Sequence, residues 1–509
     1  MWVSQFLSGN CPRGGYNVGQ FLWHTMNMLR INTITYLKTA CLVALIFAIT
    51  NNANAQWSGP VENELVIVGG WLFDSDTGER KPNPGIVIRN GKFAMVGPPS
   101  AIEKSGITSL TELSSEMTIL PGMFDLHAHY NYDLLDQGRT EEVRYTGIVA
   151  LANGVTSTWS AGEFYPQRVL QQRDLIDSGK ETGPRLFASG PYMGGFRCEY
   201  QVKTAADECI GWPNDITESE IRAEVDYWAD RGVISIKIKQ ATAVEANILI
   251  DQAHQRGMTT SGHLSNYAWT YDVDAREAIS MGLDRLEHNI TLGNGGPRSS
   301  ELDEVIGLLL DKQVFFDANL QMYGGIHLRE QLADMVWTDE AQYFTPYAQA
   351  LLEKRGPPSP ESEPEEFNQR LVELRKFYKA GGADLLIIGT DEPIYTSLLP
   401  GFAYHRELMA MVYAGIPASD VLRAATIIGA RALGVDDRLG SVKTGKLADL
   451  VVVRGNPLAD IKTARDIELV IKNGEIYRPE ELLSKAKGKI GPVDSNDHAD
   501  WVLQVKPLR

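Results

Sequence analysis

Thr118-Ile-Leu-Pro-Gly-Met-Phe-Asp-Leu-His-Ala-His-Tyr130 is an apolar run that ends in two histidines one residue apart. On an extended strand successive side chains point to opposite faces, so His127 and His129 share a face. Two imidazoles side by side at a strand's end are half of a metal site. Two histidines on one strand also occur as a plain polar patch. Their meaning depends on where the other histidines and acids fall.

From Thr118 to Leu433 short β-rich runs alternate with helical stretches. The runs are Met117–Leu120 continuing to His127, Gly154–Ser160, Arg185–Gly190, Val233–Lys239, Thr259–His263, Arg285–His288, Val314–Asn319 and Leu385–Gly389. Amphipathic segments such as Glu218–Arg231, Val244–Gly257 and Asp272–Met281 lie between them. Eight β/α units predict an α/β fold of the (β/α)8 TIM-barrel type, which takes about 250 residues before insertions. A doubly wound open sheet is the rival, weakened because no Gly-rich phosphate loop follows an early strand.

Two flanks read differently. Leu65–Phe73 and Gly85–Gly97, the latter turning at Asn90-Gly91, are strand-like, and so are Leu447–Arg454 and Ile467–Tyr477, with a turn at Asn473-Gly474. Neither flank closes a core alone, which predicts one small β-sandwich built from both ends of the chain. The expected division is 1–55 as a signal peptide, 56–115 and 436–509 as the two parts of the sandwich, the latter with a tail, and 116–435 as the barrel. The seventh βα connection, from Gln321 to Ala383, is long and contains the Pro/Glu-rich stretch Arg355–Glu366. It reads equally as a surface insertion and as a lid over the barrel mouth.

The N-terminus sets the compartment. Leu37–Thr50 is a short apolar run behind Arg30 and Lys38, and Ala53-Asn54-Ala55 has the small-x-small pattern of a signal-peptidase site. The run is too short to span a bilayer comfortably, so a periplasmic or secreted chain with no membrane span after cleavage is expected, with an uncleaved anchor as the alternative. Met1–Thr25 resembles neither a signal nor a domain, so Met26 or Met28 is an alternative start. The chain carries 48 basic and 65 acidic residues, and Arg13, Arg30 and Lys38 are the only charges before Gln56. Such an acidic remainder argues against nucleic acid and anionic membranes as partners. Cys198 and Cys209 remain after cleavage, in a Gly/Pro-punctuated loop bound for an oxidising compartment, which predicts a disulfide.

Further candidate ligands stand at the C-terminal ends of strands, where barrel enzymes place their chemistry. His263 closes Thr259–His263, His288 closes Arg285–His288, and Asp391 follows Leu386-Ile-Ile-Gly-Thr390. Lys237 and Lys239 lie in Val233-Ile-Ser-Ile-Lys-Ile-Lys239 and share a face, so alternation does not choose between them. An amine in a low-dielectric interior loses its proton more readily and can add carbon dioxide. The resulting carbamate has two oxygens with which to bridge two cations.

Taken together, Pro121–His129, Ile236-Lys-Ile238, Gly262-His263, Glu287-His288, Gly389-Thr-Asp391 and the tail Gly440–Leu450 with Val470–Gly474 resemble the amidohydrolase superfamily, in its imidazolonepropionase-like and prolidase-like branch. The resemblance implies a binuclear metal-dependent hydrolase of C–N amide bonds. His127, His129 and Asp391 would hold the buried ion, and His263 and His288 the exposed one. Lys237 would be an N6-carboxylysine bridge between two divalent ions, expected to be zinc, although such ligands do not fix metal identity. Asp391 would be the catalytic acid/base, taking a water's proton and passing it to the leaving nitrogen.

A dipeptidase, carboxypeptidase or N-acyl amino acid hydrolase is the leading expectation, acting on a small-molecule or short-peptide amide. Tyr130, Tyr132, Arg197 and Tyr323 follow strand ends and are candidates to hold a substrate carboxylate; His405 reads first as a supporting residue. Cyclic amides, lactones or phosphotriesters are the rival substrates, and a non-catalytic binding barrel the remote alternative. Barrels of this kind often associate, so a homo-oligomer stays open.

Overall fold

The computed structural model describes residues 64–102, 109–133, 139–198, 212–213, 215–264, 273–288, 290, 299–333, 340–355, 364–393 and 401–498. All belong to one compact unit, Gly59–Arg509. The expected signal segment 1–55, the start of the expected N-terminal sandwich part at residues 56–63, and Cys209 lie outside the described residues.

The strands run β1 (Leu65–Asp74), β2 (Glu79–Pro82), β3 (Gly85–Arg89), β4 (Lys92–Gly97), β5 (Ser109–Pro121), β6 (Met123–Ala128), β7 (Asn131–Asp133), β8 (Arg139–Glu141), β9 (Val155–Ser160) and β10 (Arg185–Phe187). They continue with β11 (Tyr192–Met193), β12 (Ser235–Lys239), β13 (Thr259–His263), β14 (Arg285–Glu287), β15 (Phe315–Asp317), β16 (Leu386–Ile387), β17 (Leu450–Arg454), β18 (Ile467–Lys472) and β19 (Glu475–Tyr477).

The two ends of the chain meet in one mixed sheet of order β19-β18-β17-β5-β1-β3-β4, with β2 on β1. Period-two alternation puts Leu65, Ile67, Ile86, Ile88, Leu450, Val452, Leu469 and Ile471 into one apolar cluster that this sheet encloses. Both expected Asn-Gly turns form. Asn90 and Gly91 have φ of 51° and 71°, and Asn473 and Gly474 have 52° and 79°. Two successive positive φ values are what a tight hairpin matched to strand twist requires.

The first strand differs from expectation. The run Met117–His127 is two strands: β5 pairs with β1 and β17 in the terminal sheet, and β6 pairs with β9. The break is Gly122, where an added Cβ would lie 2.1 Å from Thr156 Oγ1. Only a residue without a side chain lets the backbone cross so close to β9. The terminal sheet therefore extends to Pro121, beyond the expected boundary at 115/116.

The remaining parallel strands form ladders β10-β9-β6 and β11-β12-β13-β14-β15-β16, so they are two sheets and not one continuous ladder. The expected third strand is divided: β10 pairs with β9, and β11 pairs with β12. Across the other seam Leu126 N donates to Ile388 O (2.8 Å), Asp391 N to His127 O (2.7 Å) and His129 N to Glu392 O (2.9 Å). The last strand's end is thus tied to the first. Helices pack outside; Glu218–Ala229 and Ala243–Gln255 both open with capping boxes, Thr217/Glu220 and Thr242/Glu245. Among the described residues no helix is long and apolar enough to cross a membrane.

The long seventh connection folds into helices Leu320–Gln331, Pro346–Arg355 and Pro364–Lys379. Helix Phe402–Tyr413 anchors it. Glu407 accepts from Leu320 N (3.0 Å) and Gln321 N (2.7 Å), and Arg406 makes a bidentate pair with Glu340 (2.5 and 3.1 Å).

Candidate metal centre

The HxH pair is held from behind. Asp125 is buried and accepts from His127 N (3.1 Å), Thr390 N (3.1 Å) and Thr390 Oγ1 (2.8 Å). It clamps the end of β6 to the Gly-Thr-Asp segment after β16. Burial pushes its carboxyl up to about 6, against the pull of those hydrogen bonds. Gly389 completes the junction: an added Cβ would lie 2.2 Å from Asp317 Oδ2 and 2.4 Å from His127 Cβ.

The six residues assigned from strand ends converge at one end of the parallel strands. His127 Nε2 is 3.3 Å from Asp391 Oδ1, and His129 Nε2 is 2.9 Å from the same oxygen. His288 Nδ1 lies 3.7 Å from Asp391 Oδ2. Ring centroids of His127 and His288 are 4.8 Å apart, and those of His263 and His288 are 4.0 Å apart. Lys237, 1% exposed, places Nζ 3.3 Å from His127 Nε2 and pairs with Glu287. Lys239 turns instead to the aromatic rings of Phe196 and Tyr192. Packing thus separates the two lysines that alternation left equivalent.

His288 and Asp391 adopt φ of 69° and 55°. Left-handed backbone at non-glycine residues is costly and gathers where the surroundings over-determine a site.

Two acids join the cluster that strand-end reasoning did not single out. Asp317 Oδ2 is 3.0 Å from His127 Nδ1 and accepts from Asn319 Nδ2 (3.0 Å). A proton on Nδ1 shared with Asp317 leaves Nε2 turned to the centre as a ligand atom. Glu287 sits with His263 and His288 in a second group whose ligand atoms lie within 4.8 Å of one another; His127, His288 and Asp391 form the first. Asp317 stood in the sequence only as an acid ending the apolar run Val314-Phe-Phe, and Glu287 only as part of the Glu287-His288 motif.

The electrostatics suit a cation. Burial holds His129 down to about 4 and keeps His263 and His288 well below the usual imidazole range, so all three are neutral, the state that ligates metals. Burial opposes charge on His127, but Glu287 and Asp391 draw positive charge to it and raise it to about 9, the same pull they would exert on a bound cation that replaced the Nε2 proton. Asp391 stays ionised: despite burial, His127 and His129 hold it well below the usual carboxylate range. Both ring nitrogens of His288 and Nδ1 of His129 are buried without a hydrogen-bond partner. Buried polar atoms are nearly always satisfied, so orphans of this kind fit a group that the site is built to receive. The donor set of imidazole and carboxylate fits a divalent ion.

The model of the amidohydrolase family matches residues 118–477. The chain belongs to the amidohydrolase family. Like its family, this amidohydrolase is a metal-dependent hydrolase acting on carbon–nitrogen bonds. It is 47% identical over 392 residues to the N-acetylglucosamine-6-phosphate deacetylase of Haemophilus influenzae, covering 73% of this chain and 91% of the relative. It is 22% identical over 460 residues to the ochratoxinase of Aspergillus niger, covering 81% and 86%. A solved Xaa-Pro dipeptidase with methionine in its active site is alike in fold, with a TM-score of 0.61 at 22% identity over 82% of this chain and 100% of that one.

The substrate candidates fare unevenly. Tyr130 is corrected: it is 2% exposed, packed in the main apolar cluster, with its hydroxyl 2.6 Å from Thr158 Oγ1, so it is a core residue of this amidohydrolase. Tyr323 reaches the site, its ring edge-on to His288 at 5.7 Å. The side chains of Tyr132, Arg197 and Cys198 lie outside the described residues. His405 is tied to the fold: its Nε2 donates to Asn153 O (3.0 Å). Arg370, from the long insertion, was not foreseen; its Nη1 donates to His288 O (3.3 Å) and its guanidinium lies 3.4 Å from the centre of the Tyr323 ring.

Proposed function

We propose that this amidohydrolase is a binuclear enzyme on a (β/α)8 barrel flanked by a β-sandwich, cleaving the amide of dipeptides or N-acyl amino acids outside the cytoplasm. The observation that carries it is the convergence of His127, His129, Lys237, His263, His288 and Asp391, with ring nitrogens of His129 and His288 left without partners. His127, His129 and Asp391 would hold one ion and His263 and His288 the other, with Lys237 as the carboxylated bridge. Zinc is the proposed metal. The apolar run Leu37–Thr50 and Ala53-Asn54-Ala55 support export.

Bound divalent ions would supply Lewis-acid polarisation of the carbonyl and a more acidic water. The chain's own part is geometry and proton handling. Asp125 fixes the backbone at His127 and Asp317 fixes its imidazole, so this ligand is oriented before substrate arrives. Asp391 is ionised and has Oδ1 engaged by His127 and His129, leaving Oδ2 to take the water's proton and deliver it to the departing nitrogen.

A second substrate class is an N-acetylated amino sugar, favoured by the 47% identity to a deacetylase acting on such a compound. Metal-replete protein tested on dipeptides, N-acyl amino acids, N-acetylated amino sugars and lactones separates these. Cleavage of amides with two ions per chain is expected; turnover confined to lactones or phosphotriesters, or none at all, would reject the proposal.

A further inference from the structure

We propose that Lys239 and Arg370 bracket the His263–His288 side of the centre as a carboxylate-recognition flank, selecting N-acyl amino acids and peptides with a free carboxylate on the leaving half. This rests on the amide-hydrolase reading above and names its substrate class.

The parallel pairing of β12 with β13 sets Lys239 opposite His263 and Lys237 opposite Ser261. Register partners project on the same side of a sheet. Lys239 is therefore the residue beside His263 at the strand ends, one step beyond the buried Lys237. Its ammonium stands 3.5 Å from the centre of the Phe196 ring and 5.7 Å from that of Tyr192. Those rings are 4.7 Å apart, and Phe164 packs on both at 5.1 and 6.0 Å. An ammonium on an aromatic face keeps its charge while losing water, which strengthens its pull on a ligand anion. Gly194 makes this possible. Its φ is 131°, and a Cβ there would lie 2.2 Å from Lys239 O, so the loop bearing Phe196 closes on the strand end only with glycine.

The opposite flank repeats the pattern with other elements. Arg370 lies flat over Tyr323, Tyr323 meets the His288 ring edge-on, and Arg370 Nη1 reaches His288 O. The contacts run from Lys239, beside His263, through the His263–His288 ring pair to the buried Arg370, which also faces Glu373. Two cations supported by aromatic rings thus border the paired imidazoles, while the centre itself is lined by the anions Asp391 and Glu287.

The chemistry of the bond says which anion this suits. In an N-acyl amino acid the α-carboxylate is joined to the scissile nitrogen through a single carbon. A carbonyl held at the His263–His288 side therefore carries its carboxylate to a cation immediately beside those histidines. Lys239 and Arg370 stand there. A guanidinium gives a carboxylate two parallel hydrogen bonds, and an ammonium adds a point charge.

The test compares N-acetyl-L-amino acids and dipeptides with the same compounds as C-terminal carboxamides, in metal-replete enzyme. Wild type should favour the free carboxylate by about 10–100-fold in kcat/KM, the range of a charge-assisted hydrogen bond. Lys239→Gln and Arg370→Gln should each reduce that ratio by about 10-fold, mostly through KM, and Lys239→Arg should restore part of it. Equal cleavage of both series by wild type overturns the flank and leaves amide hydrolysis standing. A ratio unchanged in both variants does the same. Cleavage of neither series overturns both proposals.

Discussion

Asp317 Oδ2 lies 3.0 Å from His127 Nδ1, and both residues are essentially free of solvent contact. The carboxylate comes from β15 and the imidazole from β6, so this contact crosses the interior of the parallel strands and decides which nitrogen of His127 faces the centre. Removing its charge should loosen the ligand without removing it. Asp317→Asn is expected to weaken metal binding by about 10-fold, within the 10–100-fold range seen when a ligand's supporting carboxylate is lost. Competition with a metallochromic chelator measures this, and an unchanged affinity would remove Asp317 from the support of the site.

Asp391→Asn separates the proton role from the fold. The amide keeps the shape and one oxygen facing His129, so circular dichroism should match wild type. Turnover should fall by about 10²–10⁴-fold, the usual contribution of a positioned acid/base. Near-normal kcat would leave the proposed base without a role.

The metal ligands were legible because each must end a strand. A histidine or aspartate just past a β-rich run has one place to point in a barrel, and His127, His263, His288 and Asp391 all stand there. What supports them was not legible. Asp317 in Val314-Phe-Phe-Asp317 and Glu287 in Arg285-Leu-Glu287 have the same local pattern whether they face the interior or a helix. The break at Gly122 was hidden because Ile119–Phe124 is apolar throughout, though its two halves belong to different sheets. Tyr130 misled by adjacency: it follows His129 directly, yet its hydroxyl is held by Thr158. Arg370 was invisible because a residue's distance from the site along an insertion says nothing of its distance in space.

Lys237→Ala should lose bound metal, and Lys239→Ala should retain it. Lys237 Nζ is at the centre, 3.3 Å from His127 Nε2, whereas Lys239 Nζ rests on Phe196. Metal analysis of the purified variants distinguishes them, and a carbamate on wild-type Lys237 should add the mass of one carbon dioxide in native mass spectrometry. Loss of metal in Lys239→Ala alone would move the bridge to that residue.

Glu407 is fully buried, and burial raises its carboxyl to about 8, against the hydrogen bonds it accepts from Gln321 N and Leu320 N. The sign follows from linkage. The folded state holds a proton that the unfolded state releases above its ordinary carboxylate range, so this group's contribution is fully present below that range and is lost as pH rises towards 8. Glu407→Gln cannot titrate and should lack that component. Thermal melts from pH 4.5 to pH 8 should show wild type losing stability relative to the variant as pH rises, and a constant difference across the series would contradict the assignment.

Gly389→Ala tests whether the Gly-Thr-Asp motif is there for space. The backbone after β16 passes so close to β15 and β6 that an added methyl would meet Asp317 Oδ2 at 2.2 Å and His127 Cβ at 2.4 Å. Neither neighbour is the free end of a flexible chain. Asp317 is held by His127 and Asn319, and the His127 Cβ is fixed by a strand that Asp125 clamps from behind. Relief therefore has to come from moving β6 or the Asp317 carboxylate, and either shift displaces a ligand or its support. Overpacking of this kind costs about 1–3 kcal/mol of stability. Because the strain falls on the contact that orients His127, metal affinity should drop along with the melting temperature. A variant that melts like wild type and binds metal equally well would show that the centre tolerates a side chain where its closest packing now requires none.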